Sequence, residues 1–391
     1  MGTLKAGCFV LEFLNICGCI AYFNYIFFHL RTEFGFGNKE NLAFAALNGF
    51  IYVFASWFAG GFAQRRGYFT ALYLGFGTLA VALGAGAFLT SLAGQIGVVV
   101  LWSLGICFTW PVLEAMTSEV GNDRAATARM VGIYNVVWAS GAALAYFFGG
   151  AIIDALGPRS LFWFPAALHV AQLILTFWLH RHAKTLPASH REEPAAAAAH
   201  HPEGGVSPRV AKGFLHLAWI ANPFAYIAMN TLVPMIPQIA GQLNLTTAQA
   251  GFVASVWMFA RFGAFVVLWL WTGWHYRFAW LIGAYVLMVA SYGAILLVPN
   301  LAVMVVAQLV FGLSVGLIYY SSLFYSMDAG DAKGEHGGFH EALIGIGLFA
   351  GPALGAATLQ VAPESPQAGI WTVGALLVAG MLILLRRRPV R

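Results

Sequence analysis

Residues 301–325 read LAVMVVAQLVFGLSVGLIYYSSLFY, a run of 25 residues without one charged side chain. As a helix it is about 37 Å long at 1.5 Å per residue, enough to cross the ~30 Å hydrocarbon core of a bilayer. A membrane strand would alternate in polarity over about ten residues, and this run is continuous over more than twice that. Outward from it, runs of similar length recur at 6–30, 42–64, 69–90, 95–118, 127–152, 159–180, 213–240, 247–272, 278–298, 338–361 and 367–385, separated by polar or Gly/Pro punctuation. The spacing predicts an all-α membrane protein with twelve transmembrane helices in two pseudo-symmetric six-helix bundles.

Composition agrees with a lipid solvent. Of 391 residues, 60% are hydrophobic and 9% charged, against about 25% charged in soluble domains. Mean hydropathy is +0.76. So few charges cannot clothe a water-soluble enzyme of this length. The formal charge of +5 does not indicate nucleic acid, because Lys and Arg lie in short pieces between the apolar runs. Following the chain through twelve crossings, 16 of the 20 basic residues fall on the side of the termini, and Arg31, Lys39 and Arg159 on the other, with Arg261 inside a helix. Cytoplasmic loops retain Lys and Arg, so a multi-pass plasma (inner) membrane protein with both termini cytoplasmic is expected.

The polar stretch 181–212 has almost no large apolar side chains and reads as a flexible cytoplasmic linker between an N-terminal bundle, 1–180, and a C-terminal bundle with a basic tail, 213–391. Its histidines, with His180, lack a common ligand spacing, and Cys8, Cys17, Cys19 and Cys107 sit in apolar stretches as small packers. No metal or cofactor is expected. The first run, carrying Glu12, Asn15 and Asn24 without a small-residue cleavage site, reads as a retained helix.

Shifting the first half by 206 positions superposes Gly67 on Gly273, Gly132 on Gly338, Gly141 on Gly347, Gly149 on Gly355 and Asn24 on Asn230. An ordered series of this kind is what a duplicated six-helix unit leaves. After the second run the chain reads Gly60, Gly61, Phe62, Ala63, Gln64, Arg65, Arg66, Gly67, and here it resembles the major facilitator superfamily. Arg65 and Gly67 match that family's loop, while Gln64 stands where it has an acid. The glycine pattern of its antiporters is partial in the fifth run, at Gly141, Gly149 and Gly150, and fuller in the eleventh, at Gly347, Gly351, Pro352 and Gly355. Glycines four apart also serve close helix packing.

Charge at a helix centre costs about 2.5–3.5 kcal/mol on insertion scales, so the intramembrane ionisable groups should face protein or water. They are Glu12, Glu114, Arg261 and Glu341. The resemblance implies that the first, fourth, seventh and tenth helices line a central cavity, which places Glu12 and Glu114 on its wall. A poorly hydrated carboxyl there can exchange a proton near neutral pH, and the alternative is a cap on a buried polar network. Arg261 suits a solute carboxylate or phosphate, or else an ion pair with Glu341; His340 could join a proton path or be an interfacial side chain. Polar and aromatic residues at helical spacing add candidates for solute contact: Asn15 and Tyr22 beside Glu12 and Cys19, Trp110, Asn222 with Tyr226 and Asn230 at i, i+4 and i+8, and Tyr319, Ser322 and Tyr325. Arg65 and Gly67 are candidates for a gating loop.

Enzyme motifs fail. Gly312–Gly316 spells G-x-S-x-G in mid-helix, where no nucleophile elbow forms, and His340–Glu341 lacks the second histidine of a zinc helix. The resemblance therefore implies a secondary transporter working by alternating access on a small-molecule substrate, with protons and the lipid bilayer as its other partners. Proton-driven antiport export is expected ahead of uptake symport of a small organic anion or polar metabolite, and the chain is expected to be a monomer. A multipass membrane enzyme or sensor is the alternative class.

Overall fold

The computed structural model describes residues 2–118, 124–185, 206–329 and 333–387, with the side chains of 118–128 and 327–342 excepted. The first six spans are α1 (Thr3–Phe34), α2 (Asn38–Arg66), α3 (Tyr68–Gly86), α4 (Leu92–Cys107) with α5 (Trp110–Ser118), α6 (Arg124–Leu156) and α7 (Ser160–Thr185). The second six begin with α8 (Pro208–Leu232), which runs through a 3₁₀ turn at Val233–Met235 into α9 (Ile236–Gln242). They continue with α10 (Thr247–Ala254) and α11 (Val256–Leu270), α12 (Phe278–Leu297), α13 (Leu301–Ala329), α14 (Lys333–Val361) and α15 (Ala368–Arg386).

Eleven spans are long and apolar enough to cross a bilayer by composition. The seventh, α8–α9, is the more polar twelfth, carrying Arg209, Lys212, Asn222 and Asn230. The duplication holds at the level of element bounds. Shifted by 206, α6 becomes 330–362 and α2 becomes 244–272, against 333–361 for α14 and 247–270 for α10–α11.

Three spans expected to be continuous are broken, each for a local reason. Pro111 cannot donate a backbone bond, and α4 ends just before it at Cys107, with a turn at Phe108–Thr109. Pro234 and Pro237 likewise force the 3₁₀ turn of the seventh span. In the eighth, the Ser255 hydroxyl donates to the Phe252 carbonyl at 2.9 Å where α10 gives way to α11.

With twelve crossings both termini share one face, here the terminal face; the opposite one is the distal face. The halves meet where α2 lies on α14 and where α6 lies on α10 and α11. A glycine makes the first approach possible: a Cβ on Gly49 would sit 2.5 Å from the backbone carbonyl carbon of Leu348. Within each half, the repeat glycines seat equivalent helices. Gly141 of α6 packs on Phe13 and Ile16 of α1, and Gly347 and Gly351 of α14 pack on Pro223 and Ile227 of α8. At the distal face, the Asn41 amide donates to the Pro234 carbonyl of the other half at 3.2 Å.

Candidate functional site

Between the halves lies a cavity of about 170 Å³. α1 supplies Ile16, Cys19, Ile20 and Phe23, and α2 supplies Asn48 and Tyr52. Trp102 and Ile106 of α4, Trp110 and Glu114 of α5, and Tyr134 and Trp138 of α6 complete the wall of the first half. The second half faces them with Tyr226 and Asn230 of α8, Tyr319 of α13, and Ile344 and Leu348 of α14. Ile16 and Phe23 lie about 20 and 30 Å along an α1 that is about 48 Å long, which puts the cavity at mid-membrane depth.

Six residues expected from the sequence line it: Cys19, Trp110, Glu114, Tyr226, Asn230 and Tyr319. Tyr226 and Asn230 share a face at i, i+4, and the Asn230 amide donates to the Tyr226 carbonyl at 2.9 Å. Asn222, two turns from Asn230, is fully buried away from the cavity, and neither of its amide atoms meets a partner. In α1 the polar stripe looks into its own half. Asn15 donates to the Thr109 hydroxyl at 3.2 Å, across the α4–α5 break, and Tyr22 packs on Trp102 and Phe162 with ring centroids 5.3 and 5.9 Å away. At about 100° per residue, the stripe one position over, Ile16, Ile20 and Phe23, faces the cavity, joined by Cys19 of the polar stripe.

The acids converge. Glu12 is 0% exposed. The Glu114 carboxyl and the Tyr134 hydroxyl adjoin it, and both of those residues line the cavity. Glu12 is therefore set one side chain back from the cavity wall.

Across the cavity, Arg261 of α11 is 2% exposed. Its guanidinium carbon lies 4.5 Å from the Trp138 ring centroid, 4.8 Å from Tyr319 and 5.3 Å from Phe265. Rings around a buried guanidinium offset part of its desolvation through cation–π attraction. Nη1 donates to the Met229 thioether at 3.4 Å and the Tyr226 side chain hydrogen-bonds the guanidinium, while Nε and Nη2 meet no acceptor among the described residues.

Other expected residues stand apart. Ser322 is fully buried off the cavity, and its carbonyl accepts from the Ser326 hydroxyl at 2.7 Å. The Tyr325 hydroxyl accepts the Tyr276 N–H at 2.9 Å, inside an aromatic cluster with Phe214, Trp274 and Phe324. Arg65 and Gly67 form the α2–α3 turn: Gly67 has φ +91°, and Arg65 Nε donates to the Gly61 carbonyl at 3.0 Å. His340 and Glu341 fall in α14, but their side chains lie outside the described residues, as do His190, His200 and His201. Ser314 is an ordinary helical serine, donating to the Val310 carbonyl at 2.7 Å.

Several features were not anticipated. Phe23 and Trp102 stack at 5.0 Å with planes 2° apart. Asn48 accepts from the Ser103 hydroxyl at 2.8 Å. On α7, His169, Gln172 and Thr176 form a fully buried polar stripe, in which Gln172 donates to the Leu11 carbonyl at 2.8 Å. A tryptophan in mid-run, away from the interfacial belt, and polar residues at i, i+3 and i+7 were the available signals.

The sequence profile of the Major Facilitator Superfamily matches residues 8–216, more than half of the chain. No curated protein sequence matches it. Among solved structures, the human organic anion transporter MFSD10 (TETRAN) superposes with a TM-score of 0.68 at 14% identity, over 98% of this chain and 100% of that one. The nucleoside transporter NupG gives 0.67 at 13% identity, over 100% of both chains. A variant of the peptide transporter POT gives 0.70 at 14% identity, over 98% of this chain and 93% of that one. At such identities the likeness is one of fold. With the family profile, the twelve spans, the repeat at 206 and the cavity between the halves, this chain belongs to the major facilitator superfamily.

Proposed function

We propose that this multi-pass membrane protein is a proton-coupled secondary transporter that moves a small organic solute across the plasma membrane by alternating access, with both termini cytoplasmic. Glu12 carries the reading: a fully buried carboxyl beside the Glu114 carboxyl and hydrogen-bonded to Tyr134, both of the cavity wall. An unpaired buried charge is costly, so a carboxyl kept there serves by taking up and releasing a proton through the cavity. Glu114 is the relay, and Arg261, Trp110, Tyr226, Asn230 and Tyr319 are the solute contacts. Arg65 and Gly67 act at the gating loop.

Antiport export is the favoured direction, on the support of the glycine series in α6 and α14. Uptake symport of an organic anion is the second reading, because Arg261 adjoins the same cavity. In proteoliposomes, Glu12→Gln is expected to keep solute counterflow while losing accumulation driven by a pH gradient. Unchanged gradient dependence would remove Glu12 from coupling, and the sign of the gradient that drives accumulation separates export from uptake. Chemical conversion without movement would turn the reading to an enzyme, and binding with neither would turn it to a sensor.

A further inference from the structure

We infer that the solute is a small aromatic carboxylate whose carboxylate pairs with Arg261 and whose ring lies against the aromatic wall of the cavity. This rests on the transporter reading above and adds the chemistry of the cargo. Nε and Nη2 form one edge of the guanidinium, and they are the two nitrogens left without an acceptor. Their parallel N–H groups match the two oxygens of a carboxylate. Nη1, on the remaining side, is taken by the Met229 sulfur. Trp138, Tyr319 and Phe265 crowd the guanidinium with their rings and Tyr226 hydrogen-bonds it, so the acceptors it lacks among the described residues are those of the Nε–Nη2 edge. Two of those rings, Trp138 and Tyr319, also line the cavity, so the guanidinium lies one ring from it.

The rest of the solute is set by the wall. Phe23 and Trp102 present stacked rings on the first-half side, and the polar groups at Asn48, Asn230 and Glu114 stand among eight aromatic side chains. A flat aromatic body with one anionic end fits a wall so rich in rings. A single cation balances a monoanionic carboxylate and leaves a phosphate dianion half compensated. At about 170 Å³ the space is below the ~300 Å³ at which drug-sized sites begin, which calls for a small molecule. Arg261 belongs to the second half and Trp138 to the first, so one such solute touches both halves at once.

Equilibrium binding to the purified full chain, by isothermal titration calorimetry, tests this with benzoate, phenylacetate, benzamide, cyclohexanecarboxylate and benzylamine. Benzoate or phenylacetate should bind about tenfold or more tightly than benzamide, since a neutral amide cannot fill the charged edge. Either should also exceed cyclohexanecarboxylate, which has the charge without the flat ring. Arg261→Lys should lose about tenfold against the acids and little against benzamide. If that variant melts early, the acid-to-amide ratio of the unaltered chain decides alone. Equal binding of acid and amide, preference for benzylamine, or no binding by any probe would overturn the inference. Acid binding without flux would spare it and defeat the transporter reading; proton-driven flux of a solute of another class would do the reverse.

Discussion

The Asp154 carboxylate, near the end of α6, accepts the backbone N–H of Ala248 at 2.9 Å, so an acid of one half caps the first turn of α10 in the other. Thr246 takes the neighbouring donor, the Gln249 N–H, at 3.2 Å, and the two acceptors together satisfy the exposed start of the helix. On the other edge of the same face Asn41 holds both the Phe27 carbonyl, at 3.4 Å, and the Pro234 carbonyl of the second half, at 3.2 Å. These two contacts close the halves against each other at the distal face.

Removing the acid should loosen that closure. A carboxylate at a helix N-terminus contributes about 0.3–1 kcal/mol, and up to ~2 kcal/mol where partly buried. Asp154→Ala should therefore shift the balance of closed and open distal faces by about 2- to 30-fold. Labelling of Cys19, kept as the sole cysteine, by a membrane-impermeant maleimide applied from the distal side reads this directly. A several-fold faster reaction is expected, and an unchanged rate would mean that the contact does not gate.

Tyr325 is expected to act through packing. Tyr276 is held at φ +53°, an uncommon conformation for a bulky residue, and the Tyr325 hydroxyl takes its N–H at 2.9 Å while the two rings pack at 5.0 Å. Tyr325→Phe keeps the ring and loses the acceptor, a cost of about 0.5–1.5 kcal/mol. The melting temperature should drop while solute KM stays unchanged. A raised KM at an unchanged melting temperature would return Tyr325 to the solute path.

How much could be read in advance follows from which physical signal each feature leaves. The span count was legible because hydrocarbon admits only long apolar helices, and the 206-residue repeat because glycines at helix crossings cannot be replaced freely. The acids and Arg261 were conspicuous for the same reason. What pattern could not give was rotation. Glu12, Asn15 and Tyr22 share a stripe, yet they meet neighbours within the first half, with only Cys19 of that stripe on the cavity beside Ile16, Ile20 and Phe23. A shift of about 100° per residue decides the matter, and it depends on which neighbours α1 meets. Arg261 was weighed as a solute contact or the partner of Glu341; that three rings surround it depends on α6 and α13 arriving from distant parts of the chain.

The crossing of α2 with α14 offers a comparison in which one chemical change is made in two settings. Alanine in place of glycine lowers the entropy of the unfolded chain similarly at any helical position, which by itself favours the folded state by about 0.4–1 kcal/mol. At Gly77 nothing lies within 4 Å of the new methyl, so Gly77→Ala should raise the melting temperature or leave it unchanged, with normal flux. At Gly49 the methyl would meet the Leu348 and Phe349 backbone at 2.5 Å, and backbone cannot rotate aside as a side chain does. Gly49→Ala should therefore cost about 1–3 kcal/mol through overpacking and push the halves apart beside the cavity. Melting temperature and the maximal rate of counterflow in proteoliposomes should both fall for Gly49→Ala alone. Equal behaviour of the two variants would show that the halves do not depend on the close contact of α2 with α14.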